Sequence, residues 1–437
     1  MPPSQIFTLL VLVAVVAALI WNRERSDVVA LAGAALLLIT GVVRPVEVQG
    51  AFASPAIIAL ASLFVIAYAM ELSGLLDAAI RRVKALCQRI GRAGLWLMIA
   101  LCGSASAFLN NTPIVVLAAP VVRDVAESLG YSARRFLIPL SYAAVLGGSC
   151  TLIGTSTNLL VNDMASVAGQ PRFGIFEITP VGMAVAMAGG LYLLLFSRLL
   201  VRGEPGEGSI ALPEAADMQD PGLTGGQVGN AVAFAEDRPL QPWRAAASLL
   251  VFVGVITLAA TGFAPIAAAA FAGAVLLILT RIITADEAYR GLRPDVLMLI
   301  AGMVVLGIAL EETGLAGAAT QLLIGSLDGV SPLVALIIIY GATLLATEIL
   351  SNATVAVLFT PIAVSFAEAL GVSPRPFLVA VMVAGSAAFA TPFGYQTNVI
   401  VYRLGNYSYL DFVRLGVPLN LLTWVVAVIA IQATFPF

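Results

Sequence analysis

The chain has 437 residues, 60% of them hydrophobic and only 11% charged, with a mean hydropathy of +1.01. A soluble protein of this length carries about a quarter charged residues, and a net charge of −3 is too slight to point to nucleic acid or acidic partners. Histidine is absent, which removes the commonest general base and zinc ligand, and Cys87, Cys102 and Cys150 follow no metal or disulfide spacing and read as packing residues.

From the N-terminus, the first apolar run, 4–21, is preceded by no basic residue and followed by Arg23 and Arg25. A cleaved signal peptide has the opposite asymmetry, so the run reads as a permanent helix with its N-terminus outside. Apolar segments follow at 28–43, 55–72, 94–127, 136–168 and 178–200, several near the ~20 residues that span a bilayer. A polar stretch rich in Gly, Pro and acidic residues, 202–242, reads as a flexible cytoplasmic linker. Apolar segments return at 245–261, 265–280, 295–313, 333–367, 377–402 and 416–434. The expected division is a membrane repeat over 1–201, the linker, and a second membrane repeat over 243–437.

The second set echoes the first. Glu71-Leu72-Ser73-Gly74-Leu75 is matched by Glu311-Glu312-Thr313-Gly314-Leu315, Asn111 with Pro120 by Asn352 with Pro361, and Phe136-Leu137 by Phe377-Leu378. Gly154 with Thr157-Asn158 is matched by Gly394 with Thr397-Asn398. Basic residues flank the 94–127 segment on both sides, from Arg81 to Arg92 and at Arg123, Arg134 and Arg135. Both of its ends therefore want the cytoplasm, and it is too short for two full spans, so it should be a re-entrant hairpin. The 333–367 hairpin has almost no basic flank and should enter from outside. Five spans plus one hairpin per repeat make the second repeat inverted, an architecture of alternating-access transporters.

Four polar stretches interrupt the apolar segments: 104–112, 149–158, 347–354 and 391–398. Irregular backbone at that depth is tolerated only where it is buried in protein or lines a cavity. A helix broken there exposes N-terminal N–H groups that favour an anion, and frees carbonyl oxygens that can ligate sodium. None of the four contains Arg or Lys, so an anion should be held by backbone dipoles, hydroxyls, amides and bound cations. Among the few intramembrane carboxylates, Glu71 and Glu311 read as solvated charges at helix ends, while Glu348, near Asn352, is the acid that reads as functional.

The two tips, Asn110-Asn111-Thr112 and Thr347-Glu348-Ile349-Leu350-Ser351-Asn352-Ala353, resemble the paired Ser-Asn-Thr signatures of the divalent anion/sodium symporter family of the ion transporter superfamily. Gly154-Thr155-Ser156-Thr157-Asn158 resembles that family's broken-helix loop, and Gly394-Tyr395-Gln396-Thr397-Asn398 its sulfate-permease-like branch. The resemblance implies an all-α polytopic membrane protein of two inverted repeats, each of five transmembrane helices plus a re-entrant hairpin, working as an elevator and assembled as a homodimer. It implies one sodium held by Ser106, Asn110 and Asn111 with the backbone of Gly154, and a second by Thr347, Ser351 and Asn352 with the backbone of Ala390. The anion would lie between the tips (Asn110, Asn111, Thr112, Ser351, Asn352) and Thr155, Ser156, Thr391 and Pro392. Asn110 and Ala353 depart from the usual Ser and Thr, and the missing hydroxyl at 353 removes a donor to the anion. The expected function is sodium-coupled symport of a small divalent anion, sulfate ahead of C4-dicarboxylate, across a bacterial inner membrane, with no organic cofactor and no nucleic-acid partner. A proton-coupled antiporter, an arsenite-type efflux carrier, an ion channel and an intramembrane enzyme stand as alternatives.

Overall fold

The computed structural model describes residues 2–21, 23–200, 239–318 and 330–437. Most of the expected linker, up to residue 238, lies outside the described residues. The first half runs α1 Pro3–Trp21, α2 Ser26–Ile39, α3 Pro45–Phe52, α4 Pro55–Leu72, α5 Leu75–Ile90, α6 Arg92–Ser106, α7 Asn111–Ser128, α8 Arg134–Gly148, α9 Ser156–Val167 and α10 Thr179–Leu200. The second half runs α11 Pro242–Ala260, α12 Ile266–Leu279, α13 Ala285–Gly291, α14 Pro294–Glu312, α15 Pro332–Thr347, α16 Asn352–Ala369, α17 Arg375–Ser386, α18 Gln396–Leu404 and α19 Tyr409–Thr434.

Seven helical stretches among the described residues are long and apolar enough to cross a membrane. The chain is an all-helical, multi-pass membrane protein. Two expected spans are shorter than the sequence implied: α2 and α12 have 14 residues each, or about 21 Å of helix against a ~30 Å hydrocarbon core. Three helices were missed. The short α3 and α13 precede the apolar runs they join, and α5 places Arg81, Arg82, Lys84 and Arg89 between apolar positions, which read only as a basic flank.

The halves repeat one order of elements and exchange partners. Against α2 packs α14, and against α12 packs α4. In the same way α7 lies on α18 while α16 lies on α9, and α10 pairs with α19. Left-handed Gly74 and Gly314 follow α4 and α14 at the same place, with φ of 69° and 67°, a conformation costly for any residue with a Cβ. Helices α2, α4, α12 and α14 form one group. The hairpins (α6–α7 and α15–α16) and the broken helices (α8–α9 and α17–α18) form another, which the first meets chiefly where α14 lies on α16.

A matched pair of clasps ties the halves together. Arg134, opening α8, bonds Asp411, near the start of α19, at 2.8 Å and lies over the Tyr407 ring. Arg375, opening α17, bonds Glu177, just before α10, and lies over Phe173. The first pair is nearly enclosed, its side chains 16% and 7% exposed; the second is open, at 25% and 36%. Stranding a buried carboxylate costs about 3–5 kcal/mol, whereas exposed pairs contribute roughly 0–1 kcal/mol. Arg134→Met should therefore destabilise the protein by about 3 kcal/mol and Arg375→Met by under about 1 kcal/mol. Melting of both variants in detergent checks the order.

Candidate functional site

Both hairpin tips and both helix breaks meet around one cavity of about 200 Å³. Its wall includes Asn110 and Thr112 from the first tip, Ser351 and Asn352 from the second, Ser156 from one break, and Tyr395 and Gln396 from the other. These residues stand at or beside the starts of α7, α16, α9 and α18. Small polar residues allow helices to begin at this depth because they cap them. Asn110 Oδ1 accepts from Thr112 N at 3.3 Å, Thr155 Oγ1 from Asn158 N at 3.2 Å, and Ser351 Oγ from Thr354 N at 3.3 Å. Tyr395 gives α18 no side-chain cap. Four helix N-termini thus border one small space, each carrying a partial positive charge and N–H groups that no helix turn satisfies.

Behind the tips lie two oxygen clusters that correspond residue by residue under the repeat. In the first, Ser106 Oγ donates to Asn111 Oδ1, Thr151 Oγ1 donates to Ala107 O, and Asn158 Nδ2 donates to Thr151 O at 2.9 Å. Gly154 packs against the carbonyls of Gly148 and Ala107, an approach too close for a Cβ. In the second, Thr347 Oγ1 lies 3.0 Å from Asn352 Oδ1 and 2.8 Å from Gly385 O. There Thr391 Oγ1 donates to Glu348 O at 3.3 Å, and Asn398 Nδ2 donates to Thr391 O at 3.2 Å. Such hydroxyl, amide and carbonyl oxygens suit a hard cation such as sodium rather than a transition metal. Among the described residues no group of three or more His, Cys, Asp or Glu could hold a metal.

The tips are also joined across the halves. Asn111 Nδ2 donates to Tyr395 OH at 2.7 Å, and Thr112 Oγ1 to Gln396 Oε1 at 3.2 Å. Of the expected anion contacts, Asn110, Thr112, Ser156, Ser351 and Asn352 line the cavity. Asn111 sits behind it, 1% exposed, and Thr155 is buried 3.4 Å from Ser386 Oγ. Thr391 and Pro392 fall outside the wall; Thr391 Oγ1 accepts from Gly394 N instead, and the wall is made by Phe393 to Gln396. The amide of Ala390 donates to Glu348 Oε1 at 2.8 Å.

The expectation that no basic residue reaches this place is corrected by Arg293. Standing just before α14, it lines the cavity and also an adjoining one of about 580 Å³, shared with Asn110, Glu71 and Arg290. It faces Asp295 at 3.7 Å. Glu71, expected to be a solvated charge, is 5% exposed on that second wall. Nothing local marks Arg293, because the exchange of partners between the halves is what carries the start of α14 to the tips.

The family model for CitMHS, the citrate transporter, matches residues 16–371 and 349–437. The chain belongs to the citrate transporter family. Relatives of this citrate transporter family chain include an uncharacterised transporter of Synechocystis, 25% identical over 91% of each chain. The sodium-dependent dicarboxylate transporter SdcS of Staphylococcus saprophyticus is 25% identical over 92% of this chain and 80% of its own. Sodium/sulfate cotransporter 1 of Chlamydomonas reinhardtii is 37% identical over 35% of this chain and 18% of its own. The fold matches the Alcanivorax borkumensis YdaH transporter, a structure described as having an unusual topology, with a TM-score of 0.63 at 15% identity, covering 99% of this chain and 98% of that one. The resemblance drawn from the tips is thus shown, and the citrate transporter family is one of transporters, not enzymes.

Asn111→Ala and Asn352→Ala should each weaken anion binding, because each strands buried partners at roughly 1–3 kcal/mol, or about ten- to a hundredfold in affinity. Asn162→Ala removes only the acceptor for Phe173 N and should cost stability while leaving affinity intact. Affinity and melting temperature measured together on the three variants check this.

Proposed function

We propose that the chain couples sodium to movement of a small divalent anion, sulfate ahead of a C4-dicarboxylate, across the bacterial inner membrane. The observation that carries this reading is the meeting of four helix N-termini on one cavity backed by two neutral oxygen clusters. Positive helix ends attract the anion; uncharged hydroxyl and amide oxygens hold sodium loosely enough to release it. The names of the sodium/sulfate and sodium-dependent dicarboxylate relatives support the same pairing. So does size: about 200 Å³ is below the ~300–1,000 Å³ of pockets for drug-sized ligands. In this reading one sodium sits with Ser106, Asn110, Asn111 and Gly154, and the other with Thr347, Ser351, Asn352 and Ala390. Under the inverted-repeat reading, the group of hairpins and broken helices moves as an elevator against α2, α4, α12 and α14 of a homodimer.

Uptake of labelled sulfate, succinate and citrate into proteoliposomes tests it. A sodium gradient at constant pH should drive accumulation, with sulfate preferred, and equal uptake in sodium and choline would overturn the coupling. Arg293 supplies a guanidinium already shared with Asp295, so its grip on the anion is partial. Arg293→Met should raise the sulfate KM by about tenfold with little change in the sodium dependence, as initial rates across a sulfate series would register.

A further inference from the structure

The two oxygen clusters correspond closely, and they differ in one charged pair. Thr151 Oγ1 donates to Ala107 O in the first half, and Thr391 Oγ1 to Glu348 O in the second, so Glu348 occupies the place of Ala107. Gly182 of α10 abuts Ser149 and Cys150 as Gly416 of α19 abuts Phe389 and Ala390, so Asn420, one turn on, occupies the place of Ala186. Where one half has two alanines, the other has a carboxylate and an amide in contact: Asn420 Nδ2 donates to Glu348 Oε1 at 2.7 Å.

That contact leaves two acceptors over. Glu348 Oε2 and Asn420 Oδ1 are both buried and without a hydrogen-bond donor among the described residues. Asn420 is 7% exposed, and no Lys or Arg of the described residues lies within ion-pairing distance of Glu348. A carboxylate at this depth without a counter-charge is costly. Among the described residues Glu348 is also the one acidic residue on the cavity wall, where its charge opposes the pull of Arg293 and the helix ends on an anion. A second amide would relieve the first problem but not the second. A cation relieves both.

We propose that the Glu348 carboxylate and Asn420 form a further cation position that takes sodium, charged by a carboxylate and adjoining the second of the two neutral clusters. The proposal rests on the reading of the cavity as a sodium-coupled anion site. Sodium beside Glu348 cancels the negative charge that opposes the helix ends and Arg293 on the same wall, so the anion binds more tightly with the cation present, which is coupling in thermodynamic terms. The close approach at Gly416, where a Cβ would lie 1.9 Å from Phe389 O, holds Asn420 against the break that Glu348 caps.

Glu348→Gln is the discriminating variant. Its carbonyl keeps the bond from the Ala390 amide, and its new amide faces Asn420 Oδ1, so the fold is preserved while the charge is lost. Equilibrium binding of labelled sulfate to the purified full chain is measured across a sodium series balanced with choline, at several fixed pH values. Melting is followed in sodium alone. The expected result is that the dependence of sulfate affinity on sodium falls by about one ion per anion in Glu348→Gln. The variant should lose most of the sodium-induced rise in melting temperature, while melting no lower than wild type in choline. Asn420→Ala, which keeps the charge but removes one oxygen, should shift the sodium midpoint upward by roughly tenfold, and it decides the matter if Glu348→Gln folds poorly. A sodium dependence unchanged in both variants overturns the proposal alone, and so does a wild-type affinity that follows pH in place of sodium at this position. A wild type that binds sulfate equally in sodium and choline overturns the underlying reading of the cavity as well.

Discussion

Everything in this structure answers to the need to satisfy helix ends that stop inside the membrane. A helix that ends in hydrocarbon leaves four backbone N–H groups without partners, and lipid offers none. Here four such ends are gathered against one another, three of them capped by Asn110, Thr155 and Ser351. Once the ends are gathered, the remaining donors share one small volume, and their partial positive charges converge there without a basic residue in any of the four interrupted stretches. The architecture and the proposed affinity for an anion are thus one arrangement seen at two scales.

The two halves share one order of elements, and the places where they differ are few. Ser106 and Asn111 repeat as Thr347 and Asn352, keeping a hydroxyl and an amide five residues apart. Ser54 and Ala56 at the start of α4 correspond to Arg293 and Asp295 at the start of α14, so among the described residues the guanidinium on the cavity wall comes from the second half. One clasp is enclosed and its counterpart open to solvent.

The hairpins and breaks were legible because Gly, Pro, Asn and hydroxyl residues stand out against an apolar background, and a polar group at that depth must have a reason. That ground marked the four stretches, and the resemblance of the tips and breaks to the symporter family then singled out Asn110, Thr112, Ser156, Ser351 and Asn352, which line the cavity. Thr391 and Pro392 stand off the cavity wall that Phe393 to Gln396 form, and the irregular backbone of 387–395 gives no periodicity from which to judge which side chain faces inward. Arg293 was invisible because it borders an ordinary helix start and reaches the cavity only through packing between the halves. Asn420 had a signal that went unread: an amide near the start of the apolar run 416–434, followed by eleven residues with no other amide or charge. The amphipathic α5 was hidden by its own charges, which drew attention to topology instead of periodicity.

The bonds that complete the first hairpin have a further consequence for how the chain is made. Asn111 and Thr112 find their partners 284 residues later, in Tyr395 and Gln396. At about 5–20 residues per second, a ribosome needs on the order of tens of seconds to supply them. Throughout that interval the tip, with its asparagines and its unsatisfied amides, must wait in or near the bilayer without the surfaces that shelter it. Biogenesis therefore faces a sheltering problem that the finished molecule conceals, and the early half depends on the insertion machinery to hold it until the last quarter of the chain emerges.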